Sequence, residues 1–432
     1  MMFKWLYMLG RYFRNPSSQS IHSFLSKSES YPLERLEAFQ LKKLKELIGF
    51  AYQYSPYYKK TFSENQVKPS DIQSLDDLSK LPIITKNELL RHNSEIHTTF
   101  KFKKTFNAKT SGTTGQSLQF KRNEYADTFN RAVINHNYGY YNVKPWYRNG
   151  YFWGFNKSLK YRLKTKFLDT LQNRFRVFSY SQTELFAFIK KLKRAKYVHG
   201  YSSSIYQTAK AINQGQIEKP KNILMVKGTS EMVFDHYQPE IIKAFGTKMI
   251  SEYGAAEAGI IAFECPNGRL HINMEGVIVE EHNREILVTN LNMLSFPIIR
   301  YKLGDYIKLA PRNTKCSCGK NHRILENVFG RVGQTVYGFK YEYPSLYFYY
   351  IFKNLSEKHQ LYLEYQVLQK KKGHLTFNLA STLSNSEKLW LGKEIESFFK
   401  DDMQYTINSE ARIDFGSGKV KSFISTLNHG QQ

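Results

Sequence analysis

Two groups of residues in this chain have the types and spacing to do chemistry. The first is TSGTTG at residues 110–115, a run of hydroxyls and bare backbone. Such a run makes a poor helix and a poor strand, because glycine costs chain entropy and Ser/Thr side chains compete for the backbone. It is either a slack linker or a loop that presses N–H groups and hydroxyls against a partner rich in acceptors, most commonly a phosphate chain. No Lys with a Ser or Thr behind it follows the last glycine, so it is not a Walker loop. The second group is the three cysteines: Cys265 in ECPNGRLH, close to His271, and Cys316 and Cys318 in CSCG. Three thiolates plus one imidazole make a closed tetrahedral zinc site of the structural kind. The imidazole is His271 or His322, the latter three residues into the stretch after CSCG. The metal-free reading is a tight Cys-Ser-Cys-Gly turn with one buried thiol. An odd cysteine count without a signal peptide speaks against a disulfide framework and for a reducing compartment.

These residues must be held by a scaffold, and 432 residues supply two or three domains and a sizeable core. No apolar run approaches the ~20 residues of a membrane span. The opening MMFKWLYMLGRYF is interrupted by Lys4 and Arg11 and lacks a cleavage site. It reads as a helix packed on its own domain, or as an aromatic, cationic segment on a membrane surface. With 63 basic and 37 acidic residues the net charge is +26, which attracts polyanions: nucleic acid, anionic lipid or phosphorylated ligands. Tyr and Phe are dispersed rather than gathered into an RNA-binding signature, so nucleic acid is the least favoured of these.

Apolar spacing from Pro32 to Phe50 predicts an amphipathic helix, SLDDLSKL a second one, SLQFKRN a strand and EYADTFNRAVINHNYGYY a long helix. NILMVKGTS and KMISEYGAAEAG each read as a buried strand running into small polar residues. Strands alternating with helices predict an α/β core with parallel pairing. From Gly276 to Leu309 the rhythm shortens to β segments, and the composition changes again after Gly330. The expected division is therefore 1–330, with a β-rich part over about 260–330, and 331–432.

Four short motifs occur in one order: TSGTTG (110–115), YGAAE (253–257), RYKLGD (300–305) and GRVGQ (330–334). The series resembles the adenylate-forming superfamily of acyl- and aryl-CoA ligases. Within it, AYQYSPYYKKTF, VHGYSSSIYQTAK, VTNLNMLSFPIIRYKLGD and CSCGKNHRIL resemble the phenylacetate–CoA ligase branch and its capsule-associated, CapK-type members. The resemblance implies a large N-terminal α/β domain with a β-rich subdomain, and a small mobile α+β domain. It implies that the 110–115 loop wraps the β- and γ-phosphates of ATP, with Thr110, Ser111, Thr113 and Thr114 donating hydroxyls and Gly112 and Gly115 allowing close approach. Glu257 would hold Mg2+, Tyr253 would stack on adenine beside Ser230 (where relatives favour glycine), and Asp305 and Arg331 would bind the ribose. Lys419 in FGSGKVKSFIS, with Lys421 as runner-up, would be the adenylation lysine, so that Lys419, Glu257 and Thr110 form the catalytic set. Some members of the branch also carry the zinc site. At the hinge, Val332, Gly333 and Gln334 stand where relatives have two acidic residues, which leaves the pivot but removes its usual locking contacts.

The implied activity is conversion of a carboxylic acid to an acyl-adenylate, then transfer to CoA or to an amine or sugar acceptor, in surface polysaccharide biosynthesis. His136, Tyr140, His199, Tyr201 and Ser202 are candidate walls of the acid pocket. The implied location is cytoplasmic, with peripheral contact at the inner face of an anionic membrane. Two other readings are a weak ligase scaffold that binds a polyanion, and a transferase that holds a nucleotide-sugar on the small-residue loop.

Overall fold

The computed structural model describes residues 1–432 apart from 111–116, 154–158, 179–181, 216–217, 234–236, 330–334, 362, 364, 412–422 and 428–432. The chain divides into two compact units. One comprises Met1–Lys109 and Gln119–Gly330, the other Thr110–Leu118 and Arg331–Gln432.

In the first unit, α1 (Met2–Arg14), α2 (Ser18–Ser28), α3 (Leu33–Tyr54), α4 (Pro56–Glu64) and the short α5 (Lys86–Arg91) and α6 (Asn93–Ile96) precede a hairpin of β1 (Thr105–Lys109) and β2 (Gln119–Asn123). After α7 (Glu124–Gly139) comes a βα series. It runs β3 (Asn149–Phe152), α8 (Leu159–Leu171), β4 (Arg174–Arg176), α9 (Gln182–Leu192), β5 (Tyr197–Tyr201), α10 (Ser202–Gln214), β6 (Met225–Thr229), α11 (Gln238–Phe245) and β7 (Met249–Ala255). The β-rich part follows: β8 (Gly259–Glu264), β9 (Leu270–Ile272), β10 (Val277–His282), β11 (Glu285–Asn290), β12 (Tyr301–Leu309) and β13 (Ile324–Phe329). All eleven strands from β3 to β13 join one sheet in the order β10-β11-β12-β13-β9-β8-β7-β6-β5-β3-β4. Pairing is parallel from β4 to β7 and antiparallel from β7 to β10. The mixed α/β architecture expected from the alternation is therefore present; helical crossovers give way to hairpins at the β7–β8 turn, about twenty residues before Gly276.

β5 is buried at every position, as a strand covered on both faces must be. α7 is packed from two sides. Phe129, Ala132 and Val133 meet Ile21 and Leu25 of α2, while Tyr138 meets Tyr197, Met225, Ile250 and Phe263 of the sheet. Each such large side chain contributes roughly 1.5–3 kcal/mol by leaving water. Arg300, the first residue of RYKLGD, is a structural ion-pair residue: its Nε and Nη2 clasp Glu280 at 2.9–3.1 Å and its Nη1 donates to the carbonyls of Ser79 and Leu81.

Two local expectations are revised. SLDDLSKL forms only a 3-10 turn, Asp76–Lys80, because the Asp77 carboxylate reaches back to the N–H groups of Gln73 and Ser74 instead of launching an α-helix. The N-terminal segment is helical but does not bury its apolar face: α1 has no buried residue. Among the described residues no helix is long and apolar enough to cross a membrane.

In the second unit, β14 (Thr335–Tyr337) and β15 (Glu342–Pro344) form a hairpin. It is closed by buried Asp402, which accepts bonds from the N–H groups of Lys340 and Tyr341 and from the Tyr343 hydroxyl at 2.7–3.0 Å. A four-stranded sheet of β16 (Tyr365–Lys371), β17 (His374–Leu379), β18 (Gln404–Asn408) and β19 (Phe423–Ser425) has the order β18-β17-β16-β19. α12 (Leu346–His359) and α13 (Asn385–Phe399) supply Phe348, Phe352 and Phe399 to a core shared with Phe377 of β17.

Candidate nucleotide and metal sites

The motif YGAAE lies where β7 leaves the sheet and turns into β8. The register shifts between Tyr253 and Gly254, a bulge of the kind that re-aims side chains. A Cβ on Gly254 would sit 2.5 Å from the Gly259 carbonyl oxygen, and Gly259 itself has φ +85° with Asn130 Oδ1 2.7 Å from where its Cβ would be. Three side chains fix the turn between them. Arg122 Nη2 donates to the Ala256 carbonyl at 2.6 Å, Asn290 Nδ2 donates to that of Ala258 at 2.9 Å, and Asn130 Oδ1 accepts from the N–H of Ile260. The turn is thus held by β2, β11 and α7 at once.

This anchoring brings the second and third motifs together. Buried Glu257 accepts a 3.0 Å bond from the hydroxyl of Tyr301, and the hydroxyl of Tyr253 donates to Asp305 Oδ2 at 2.8 Å. Tyr301 and Asp305 are both on β12. The result is two carboxylates and two tyrosines gathered at one rim of the sheet, with a guanidinium close behind. Burial pushes the Arg122 pKa down, while the carboxylates of Asp127 and Glu257 oppose that. Arg122, Tyr301, Asn130 and Asn290 were not singled out from the sequence. For Arg122 a signal existed: it shares a face of β2 with buried Phe120.

Ser230 follows β6 and has φ +67°, the left-handed region in which glycine is at ease. The glycine favoured by relatives therefore has a conformational reason. Beside it, Glu231 caps α10 by accepting from the N–H and hydroxyl of Ser203 at 2.9 and 2.6 Å, and burial pushes its pKa up.

In the second unit, Thr110 closes the base of the small-residue loop. Its N–H donates to the Leu118 carbonyl, its Oγ1 accepts from the Leu118 N–H, and its carbonyl accepts from Ser117 Oγ. Ser111, Gly112, Thr113, Thr114, Gly115, Arg331, the hinge residues Val332, Gly333 and Gln334, and Lys419 and Lys421 lie outside the described residues.

The candidate acid-pocket residues separate into two groups. His199 is stacked on Tyr151 at 4.4 Å and bonded to Asn149, while Tyr201 stacks on Trp153 at 4.6 Å. Burial, then the charges of Arg174, Lys227 and Arg176, push the His199 pKa well below its usual value, so the ring is neutral at pH 7. Lys227 forms a buried 2.6 Å pair with Glu252, to which Thr229 also donates. Ser202 Oγ donates to the Glu231 carbonyl. His136 and Tyr140 lie elsewhere, bonded to each other and, through His136, to Glu29. The helix explains this: it is Tyr138, about 200° round α7 from His136, that meets the sheet.

The ligand atoms of Cys265, His271, Cys316 and Cys318 all lie within 4.8 Å of one another. Cys265 Sγ is 3.8 Å from Cys316 Sγ, and Cys318 Sγ is 3.2 Å from His271 Nε2. His271 Nδ1 is 3.2 Å from the His322 carbonyl, which fixes the tautomer and leaves Nε2 to face the thiols. His322 instead pairs with buried Glu275 at 2.9 Å, so of the two histidines His271 joins the cysteines. Burial, and then the neighbouring thiols, push the Cys318 pKa up to about 12. Three thiols this close cannot all ionise unaided, and a divalent cation would supply the missing charge. The donor set fits zinc in chemistry and in count.

No protein-family model matches the chain. Its structure superposes on 2-hydroxyisobutyryl-CoA ligase in the thioesterification state with 2-HIB-AMP and CoA, with a TM-score of 0.64 and 15% identity, covering 93% of this chain and 91% of that one. The open conformation of that ligase gives 0.60 and 14%, covering 92% and 93%. The chain has the adenylate-forming ligase fold. In sequence it is similar to protein CapK of Staphylococcus aureus, 24% identical over 292 residues, or 62% of each chain. It is also similar to phenylacetate-coenzyme A ligase of Thermus thermophilus, 34% identical over 64 residues, 15% of this chain and 14% of that one. The matched regions span about three fifths of CapK and about a seventh of the Thermus ligase. The relationship expected from the ordered motifs, to CapK and the phenylacetate–CoA ligases, is thereby borne out.

Ser230→Gly should relieve the left-handed backbone and raise stability by about 1 kcal/mol. The urea midpoint should rise with an unchanged slope. A lowered midpoint would show that the serine side chain contributes more than its strain costs.

Proposed function

We propose that the chain activates a carboxylic acid with ATP and passes the acyl group to an acceptor. The observation that carries this reading is the pair of bonds Tyr253–Asp305 and Tyr301–Glu257, which gather YGAAE and RYKLGD at one rim of the sheet on a ligase fold. In the first half-reaction a carboxylate oxygen of the acid attacks the α-phosphorus of ATP. The bond to the β-phosphate breaks and pyrophosphate leaves with the electron pair. In the second, a thiol or amine attacks the acyl carbonyl and AMP departs. Two anions must meet in the first step, so the site must supply positive charge and fixed donors.

The residues divide that work. Asp305 accepts from the ribose hydroxyls and Arg331 adds a donor there, while the Tyr253 ring, its hydroxyl fixed on Asp305, packs against adenine beside Ser230. Ser111, Thr113 and Thr114 donate to the β- and γ-phosphates, with Gly112 and Gly115 admitting the phosphate chain. Thr110 holds the loop's base and keeps a hydroxyl proton to donate. Glu257, oriented by Tyr301, would hold Mg2+, whose charge neutralises phosphate oxygens. Lys419 bridges the attacking carboxylate and the α-phosphate. The acid lies against the aromatic and polar group around Tyr151, His199 and Tyr201. CoA is the favoured acceptor, because the fold neighbour binds 2-HIB-AMP and CoA; an amine on a sugar is the alternative within this reading. Similarity to CapK supports a place in surface polysaccharide biosynthesis. A zinc held by Cys265, His271, Cys316 and Cys318 would staple β8 and β9 to the CSCG segment and would take no part in the chemistry on ATP.

Magnesium-dependent ATP–pyrophosphate exchange, run against aryl, fatty, amino and sugar acids, should appear with one acid class. It should fall by about 10²-fold or more in Lys419→Ala and Glu257→Gln. Exchange with no acid, alongside binding of UDP-sugars or DNA, would overturn the reading. Metal analysis should find one zinc per chain, and its removal by a chelator, or Cys316→Ser, should lower the melting temperature without touching nucleotide affinity directly. A chain free of zinc and unaffected by chelators would remove the metal from the account.

A further inference from the structure

We propose that α1 and α8 form a docking surface for an anionic lipid bilayer. α1 inverts the usual polarity of a surface helix. Its contacts with the protein are largely polar, while Lys4 and Arg14 stay exposed: Tyr7 accepts from Asn135 Nδ2 at 2.6 Å, Arg14 pairs with Asp127 and lies over Phe106, and Lys104 Nζ donates to the carbonyls of Phe13 and Arg14. Trp5, Leu9, Tyr12 and Phe13 point outward, Trp5 72% and Phe13 70% exposed. Spacings of three and four put these residues on one stripe. α8 repeats the pattern with Leu163, Phe167 and Leu171, of which Leu163 is 69% and Phe167 65% exposed.

The charge on the two helices selects the partner. α1 carries Lys4, Arg11 and Arg14 and no acid, and α8 carries Lys160, Arg162, Lys164 and Lys166; Arg14 and Arg162 are paired with Asp127 and Glu184, which leaves Lys4, Arg11, Lys160, Lys164 and Lys166 to meet headgroups. The single carboxylate among them is Asp169, which is buried and clasped by Arg176 at 2.5 and 2.7 Å. The helices belong to one region of the unit. Tyr7 and Lys4 of α1 pack on Trp146, whose carbonyl accepts from Asn173, two residues past the end of α8. Apolar stripes of this kind flanked by cations match the acyl and headgroup layers of an anionic membrane. A second copy of the chain is a poor occupant: it would bring the same cations, and a net charge of +26, against their like. With neither helix able to span a bilayer, attachment is at the surface. This inference does not depend on the ligase reading.

Flotation of the full chain with vesicles tests it. The chain should float with phosphatidylcholine vesicles containing about 30% phosphatidylglycerol and not with phosphatidylcholine alone. Binding should drop at least tenfold in Trp5→Glu/Leu9→Glu and in Leu163→Glu/Phe167→Glu, with circular dichroism and melting temperature confirming that the variants fold. Lys160→Glu/Lys164→Glu/Lys166→Glu, which leaves every apolar contact in place, should reduce binding as well, and salt should weaken it in the parent chain. No flotation, flotation that the variants do not alter, or a dimer in light scattering that Trp5→Glu dissolves without any vesicle binding would each overturn the proposal.

Discussion

The closeness of β7 and β8 at Gly254 and Gly259 is the constraint from which the site hangs. With the Gly259 carbonyl 2.5 Å from where a Cβ would stand, the two strands can leave the sheet together only through small residues. The turn between them then has orphan carbonyls, and a buried orphan carbonyl costs free energy. Arg122 of β2 and Asn290 of β11 satisfy two of them. Once the turn is immobilised in this way, Glu257 is carried into a buried position against Tyr301, and Tyr253 to Asp305. The small residues of YGAAE and the charged ones therefore have separate duties: the former set backbone approach and the latter use the position so created.

The rest of the first unit supports that rim. Parallel strands deliver Thr229, Ser230 and Tyr253 to the same end of the sheet, following the general tendency of open α/β sheets to place sites at the carboxyl ends of strands. The antiparallel half supplies β12 and, further out, the Cys/His cluster. That cluster ties Cys265 and His271, which flank the β8–β9 hairpin, to Cys316 and Cys318 between β12 and β13. A metal held there would restrain the end of β8 remote from the turn that carries Glu257, and the segment that follows β12, the strand that carries Asp305. Arg300 does the same from the other side, fixing the start of β12 to Glu280 and to the 79–81 segment.

Much of this could be read before the structure, and for identifiable reasons. Ordered motifs indicated the ligase fold because their small and charged residues are tied to backbone geometry, as Gly254 and Ser230 show. The three cysteines stood out because thiols are rare in this chain. Other features were hidden. Nothing local separates His271 from His322 as the imidazole beside the thiols; the choice depends on Glu275, which claims His322. His136 and Tyr140 were grouped with His199 by sequence proximity to the right helix, but helical phase turns them toward Glu29 and the cavity beside β8 and β9, away from His199. Tyr301 sat within a strand and looked like an ordinary strand residue, whereas Arg122 shares the inward face of β2 with Phe120. The orientation of α1 was left open between packing on its own domain and lying outward. Amphipathicity reveals that a helix has two faces, and only tertiary contacts decide which one is buried.

The central claim is that the rim formed by Tyr253, Glu257, Tyr301 and Asp305 binds a ribonucleotide triphosphate, and calorimetric titration with MgATP tests it most directly. ATP should bind to the parent chain and lose at least tenfold in affinity in Asp305→Ala, a variant that removes the ribose acceptor while the fold remains, with UDP-sugars failing to compete. Undiminished ATP affinity in Asp305→Ala, or tighter binding of UDP-sugars than of ATP, would contradict the account.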